Sequence, residues 1–219
     1  TRLTAGDGHE LDAYEVHPDG AASSIVIVQE IFGVNAHIRS VVDRYASFGY
    51  RAIAPALFDR GERGVELDYD DAGRQRGIEL AMQVAGGQAM LDVAAAVDHV
   101  ADTGPVAVIG YCFGGTLAWV AAGTLPIAAA IGYYGGQIHG MIDRRPHAPT
   151  MLHCGELDHG IPLDQAEAIA TAHPDVPVHV YPGAEHGFSC DARSSYDARS
   201  AAIALGRTLE FLADHGVTP

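Results

Sequence analysis

"VAVIGYCFGGTL", residues 106–117, reads as a buried strand, a sharp turn and the start of a helix. Its apolar opening matches a strand covered on both faces, as in parallel sheets. Cys112 then sits among Gly110, Gly114 and Gly115 in a G-x-C-x-G-G pattern. A turn this tight presses backbone against backbone, so side chains at the glycine positions would clash. A strand–turn–helix of this kind is a nucleophile elbow, here with cysteine where serine is common. It predicts a sulfur exposed at the carboxyl end of the sheet, where a helix N-terminus favours a thiolate. The Phe113 amide would point to where an oxyanion develops. Packing competes with this reading, because a cysteine after an apolar strand is also an ordinary small hydrophobe.

Outward from this turn, short apolar runs alternate with helical patterns, which predicts an α/β architecture with a mostly parallel sheet. "SSIVIVQE" (23–30), "YRAIAPAL" (50–57), "IAAAIGYYGG" (127–136), "PTMLHCG" (149–155) and "PVHVYPG" (177–183) supply further strands. Asn35 caps a helix with Ile38, Val41, Val42, Tyr45 and Phe48 on one face, closed by Gly49. Met90, Ala94, Val97 and Val100 mark a second helix, and "GTLAWVAAG" (115–123) a third. A last helix over roughly 196–213 carries Ala198, Ala202, Leu205, Leu209 and Leu212 on one face. The charged stretch 59–77 is a surface excursion leading into a helix. No linker or repeat interrupts the pattern, so residues 1–219 are expected to form a single domain.

The 219 residues carry 13 Lys and Arg against 28 Asp and Glu, a formal charge of −15. A field of that sign disfavours nucleic acid and anionic membranes as partners, and an anionic substrate would need a local arginine. Three cysteines without framework spacing point to a reducing, cytoplasmic compartment. No basic-then-apolar leader and no membrane-length apolar run is read. A small-molecule substrate is expected, with the chain a monomer or a small homo-oligomer.

A thiol nucleophile needs a base, and the base an orienting group. On this architecture they follow in the order nucleophile, acid, histidine, each after a strand. Asp158 in "LHCGELDHGIP" and His186 in "YPGAEHGF" satisfy that order behind Cys112. With 12 histidines in the chain, coincidence is the competitor, and the ordered set of three is what favours catalysis. "HCGELDH" (153–159) is the rival metal reading, but it lacks C-x-x-C or H-E-x-x-H spacing, so no metal is expected.

At these residues the chain resembles the dienelactone hydrolases of the α/β-hydrolase fold. "QEIFGVN" (29–35), "GYCFGG" (110–115), "GYYG" (132–135), "GELDHGIP" (155–162) and "GAEHGF" (183–188) match that family's motifs in order. The resemblance implies a mostly parallel, doubly wound sheet with helices on both faces. It implies a triad of Cys112, Asp158 and His186 acting on an ester or lactone without metal or organic cofactor. It also implies that Glu30 contacts the resting thiol, and that the Ile31 amide joins that of Phe113 in the oxyanion hole.

The same resemblance assigns substrate contacts to Arg76 and Tyr133. It also exposes departures: Leu80 replaces a tyrosine, Gly187 a serine and Cys190 a second arginine. Arg74 and Arg193 are the cations at hand to compensate. A general short-chain esterase or thioesterase is the nearest alternative function. A non-catalytic ligand-binding or redox-sensing protein on the same fold is the alternative from another class.

Overall fold

Alternate residues of the central strands meet different helices. The computed structural model describes residues 1–84 and 87–219. In β3 (Ser24–Val28), Ile25 and Ile27 pack with α1 (Ala36–Ser47) and α6 (Ala198–Asp214). Val26 and Val28 face α3 (Gln88–Val100) and α4 (Phe113–Thr124) on the other side. Two covered faces explain why the strand reads as an unbroken apolar run.

Among the described residues the sheet has eight strands in the order β1-β2-β4-β3-β5-β6-β7-β8. The remaining ones are β1 (Arg2–Thr4), β2 (Glu10–Val16), β4 (Arg51–Pro55), β5 (Val106–Tyr111), β6 (Ala129–Tyr133), β7 (Thr150–Gly155) and β8 (Val178–Tyr181). β1 pairs antiparallel with β2, and β2 antiparallel with β4, whereas all pairings from β4 to β8 are parallel. The connecting helices α2 (Asp71–Gln83) and α5 (Leu163–Ala172) complete the set. No single helix among the described residues is long and apolar enough to cross a membrane.

Local chemistry sets the boundaries. Asn35 accepts a hydrogen bond from the Ile38 amide at 3.2 Å and starts α1, and Gly49, at φ 102°, lies just beyond its end. Asp70 and Asp197 cap α2 and α6 in the same way. The stretch 59–77 leads from a 3-10 turn at Leu57–Arg60 into α2. From that turn, Arg60 grips the fully buried Asp92 of α3 with two hydrogen bonds, at 2.7 and 2.8 Å.

Leu205, Leu209 and Leu212 of α6 pack on the core as expected, but the start of the helix departs from the expected face. Ala198 and Ala202 are exposed, while Ser200, Ala204, Thr208, Phe211 and Leu212 point inward. Thr208 is drawn in by a buried polar network: it bonds Tyr133 Oη at 2.7 Å and His153 Nε2 at 3.1 Å.

Candidate active site

The turn after β5 is built from close backbone contacts. A Cβ on Gly110 would lie 1.8 Å from the Gly114 carbonyl oxygen. One on Gly114 would lie 2.2 Å from the Val28 carbonyl oxygen, and one on Gly115 2.5 Å from that of Tyr133. The three glycines let α4 start directly against β3 and β6. Cys112, between them, adopts φ 54° and ψ −113°. A non-glycine residue there costs about 1–3 kcal/mol, a strain that the surrounding structure must impose.

The Gly114 amide donates to the Gln29 carbonyl at 3.0 Å, tying the start of α4 to the loop after β3. Gln29 is itself buried and accepts from the Leu57 amide at 3.1 Å. Its neighbour Ile31 and the first α4 residue, Phe113, border a common cleft with Cys112. Among the described residues neither the Ile31 nor the Phe113 amide donates a hydrogen bond. Both amides are therefore free to meet a group bound in this cleft.

Asp158, after β7, is buried, and its two carboxylate oxygens have separate partners. One accepts from the Gly160 amide at 2.8 Å, and the other faces His186 Nδ1 at 2.8 Å. His186 follows β8 and is held from behind by Ser195, whose hydroxyl donates to the His186 carbonyl at 2.8 Å. Burial opposes a charge on this ring, but hydrogen bonds to Asp158 and Cys112 outweigh it and raise His186 to about 10. Cys112, Asp158 and His186 therefore lie together at the carboxyl edge of the sheet.

Two arms of the cleft meet at Cys112 and His186. A cavity of about 440 Å³ is bordered by Tyr69, Arg74, Asp158, Arg193 and Ser195. A second, of about 310 Å³, runs between α2 and the start of α4. Gly77 lets α2 lie this close: a Cβ there would be 2.0 Å from the Ile31 carbonyl oxygen.

Several expected contacts are corrected by the structure. Arg76 points away from both arms and pairs with Glu62 and Glu79 on the surface. Two residues along a helix turn by about 200°, so it is Arg74 that faces the cleft. Leu80 is buried against Phe58 and Val84 instead of lining an arm. Tyr133 points into the core, and its neighbour Tyr134 is the one at the site. The Tyr134 ring centroid is 5.0 Å from that of His186, and its hydroxyl bonds Ser189 at 2.8 Å.

Glu30 does not make the expected thiol contact. Its fully buried carboxylate accepts from Tyr69 Oη at 2.8 Å and faces Arg193 Nη1 at 3.4 Å. The Arg193 guanidinium also lies over the Phe32 and Tyr69 rings, 5.9 and 5.8 Å from their centroids. Gly187, at φ 78°, leaves room for it, since a Cβ there would meet Arg193 Nη1 at 2.6 Å. Cys190 borders neither arm. It is buried beside Glu30 and Tyr69, and burial pushes its thiol up to about 12.

"HCGELDH" does not gather into a metal-binding group among the described residues; the donors that do approach one another are Glu30, His37 and Cys190, within 4.8 Å. Asp191 bonds His37 Nδ1 at 3.0 Å, but Arg193 competes for the same Glu30 carboxylate. Tyr69 and Tyr134 were not legible as site residues. The second tyrosine of "GYYG" was the available signal: it lies just past the end of β6, at φ 41°, where the chain turns toward the site.

Known proteins extend this geometry. The model of the dienelactone hydrolase family matches residues 11–216. A carboxymethylenebutenolidase of Pseudomonas putida is 35% identical over 218 residues, covering 94% of this chain and 92% of its own. The crystal structure of a candidate dienelactone hydrolase from Klebsiella pneumoniae superposes with a TM-score of 0.83 at 30% identity, covering 96% of this chain and 97% of the other. An esterase of Pyrococcus furiosus, at 14% identity and a TM-score of 0.71, shares the fold; the match covers 98% and 91% of the two chains.

Proposed function

Since the chain belongs to the dienelactone hydrolase family, we propose that it hydrolyses a carboxylic ester or lactone with Cys112 as nucleophile, His186 as acid and base, and Asp158 as orienting group. The observation that carries this reading is the 2.8 Å Asp158–His186 bond, in the same cleft as a cysteine forced to positive φ at a helix start.

The sulfur of Cys112 attacks the carbonyl carbon, and the electron pair displaced onto oxygen is received by the Ile31 and Phe113 amides. Asp158 holds the imidazolium, which supports a neighbouring thiolate and carries the proton due to the leaving oxygen. The carbon–oxygen bond breaks, the alcohol leaves with that proton, and a thioester links acyl group and enzyme. His186 then takes a proton from water, whose attack releases the acid and restores the sulfur.

Relatives named carboxymethylenebutenolidase favour a substrate that bears a carboxylate. Anion recognition is assigned here to Arg193, assisted by Arg74. Glu30 serves as the resting counter-ion that an arriving carboxylate displaces from Arg193. Turnover of cis- and trans-dienelactone and of neutral aryl esters by wild type and Cys112→Ala tests the mechanism. Loss of all turnover in the variant, with a Cys112-linked acyl-enzyme detected by mass spectrometry in the wild type, is expected. Undiminished activity in Cys112→Ala would sink it.

A further inference from the structure

The two arms that meet at the sulfur differ in chemistry, and one helix lines both. Arg74, Ile78, Ala81 and Met82 are spaced i, i+4, i+7 and i+8, which is a single stripe of α2. Arg74 borders the larger arm, Ile78 both arms, and Ala81 and Met82 only the smaller. Across from them stand Phe113 and Thr116 of α4. Apart from Cys112 and His186 at its inner end, the smaller arm has no ionisable side chain on its walls among the described residues. Ile78 and Met82 are exposed and border the same cleft, so a group seated there would cover both. Past Phe113, Thr116 and Gln137 a further cavity of about 360 Å³ continues along α4 to Val120, Met90 and Met141. A channel with mostly apolar walls therefore leads outward from the sulfur, with Thr116 and Gln137 along it and Arg144 on its far part.

An ester carbonyl has two substituents, and the position of the proton donor separates them. The leaving oxygen must face His186, which borders both arms, but its loop neighbour Glu185 and the Asp158 loop (Leu157, Asp158, His159, Gly160) wall only the larger one. The alcohol part thus lies with Arg74 and Arg193, and the acyl part is left the other direction. We infer, resting on the ester-hydrolase reading above, that the substrate's acyl group is an extended apolar chain seated between Ile78, Ala81, Met82 and Phe113, with its polar or anionic group on the alcohol side.

Isomeric esters test this placement. Ethyl hexanoate and hexyl acetate have the same composition and differ only in which side bears the chain. Release of acid from each by the full chain, followed by titration at constant pH, should favour ethyl hexanoate by at least about tenfold in kcat/KM. Along the 4-nitrophenyl esters from acetyl to hexanoyl, kcat/KM should rise about two- to fourfold per methylene, the upper limit being complete burial of each CH₂. Met82→Asp, at an exposed position that does not threaten folding, should cut the hexanoyl-over-acetyl preference by about tenfold, because an apolar chain then adjoins a carboxylate that must be desolvated. Equal rates for the two isomers, a preference for hexyl acetate, or an unchanged preference in Met82→Asp overturns the placement while leaving ester hydrolysis standing. No turnover of any ester overturns the placement, and no turnover of the dienelactones either overturns both.

Discussion

Arg193 and Glu30, 163 positions apart in the chain, face each other across 3.4 Å at the wall of the cleft. Glu30 is fully buried, with Tyr69 as its second partner, while Arg193 borders the cavity. Both partners border the cavity, and the contact to Arg193 is the longer and weaker of the two. A charge-assisted bond of this length leaves the guanidinium available to a better-placed anion.

Arg193→Gln should therefore lower kcat/KM for a carboxylate-bearing ester by about 10–100-fold more than for its neutral methyl ester, the range for one lost hydrogen bond to a charged group. Arg76→Gln should leave that ratio unchanged, because Arg76 is engaged with Glu62 and Glu79 away from both arms. Equal losses on the two esters in Arg193→Gln would remove the arginine from anion recognition.

Asp158→Asn should reduce kcat on the order of 10³–10⁴-fold, as orienting carboxylates do in such triads. The same contact has a signature in stability. His186 is raised from 6.5 to about 10, so the folded state holds its proton more tightly than the unfolded chain does. That stabilisation is complete below 6.5 and disappears as the pH rises through about 10. Thermal melting of wild type and His186→Gln should show their largest gap in Tm at the acid end of this window. A gap that widens toward alkaline pH would contradict the imidazolium assignment.

Gly77→Ala should cost about 1–3 kcal/mol in urea unfolding, the usual penalty of overpacking. Its Cβ has the Ile31 carbonyl oxygen at 2.0 Å, so α2 must retreat from the loop that carries Glu30 and Ile31. Activity should fall further than stability predicts, seen as a loss of kcat at temperatures well below the variant's Tm.

Asp92→Ala should cost about 1.5–3 kcal/mol in the same unfolding experiment, because Arg60 loses its buried charge-assisted hydrogen bonds to Asp92. Asp7, at the surface, still partners Arg60 at 2.8 Å, and the double variant Asp7→Ala, Asp92→Ala should reveal coupling between the two contacts.

The parallel sheet was legible because each central strand is apolar on both faces, and the elbow because glycines at 110, 114 and 115 have few other uses. The β1–β2 hairpin was not read, since β1 is three residues long and alternates only once. The face of α6 was read in part, because the pattern counted only apolar residues, whereas Thr208 is buried through the hydroxyl and imidazole it serves. Within the site, chain order put Cys112, Asp158 and His186 on one sheet edge. The choice between Arg74 and Arg76 depends on where α2 begins to wind, and between Tyr133 and Tyr134 on the last residue of β6. Both are matters of phase, which composition and spacing leave free.

The vacancy at Gly187 binds two positions into a shared history. Any side chain at 187 would occupy the space of the Arg193 guanidinium. A serine after this histidine would push the guanidinium at the end of the flexible Arg193 side chain out of its present place. Positions 187 and 193 should therefore change together among relatives, and chimeras that swap one without the other should lose the anion preference of both parents.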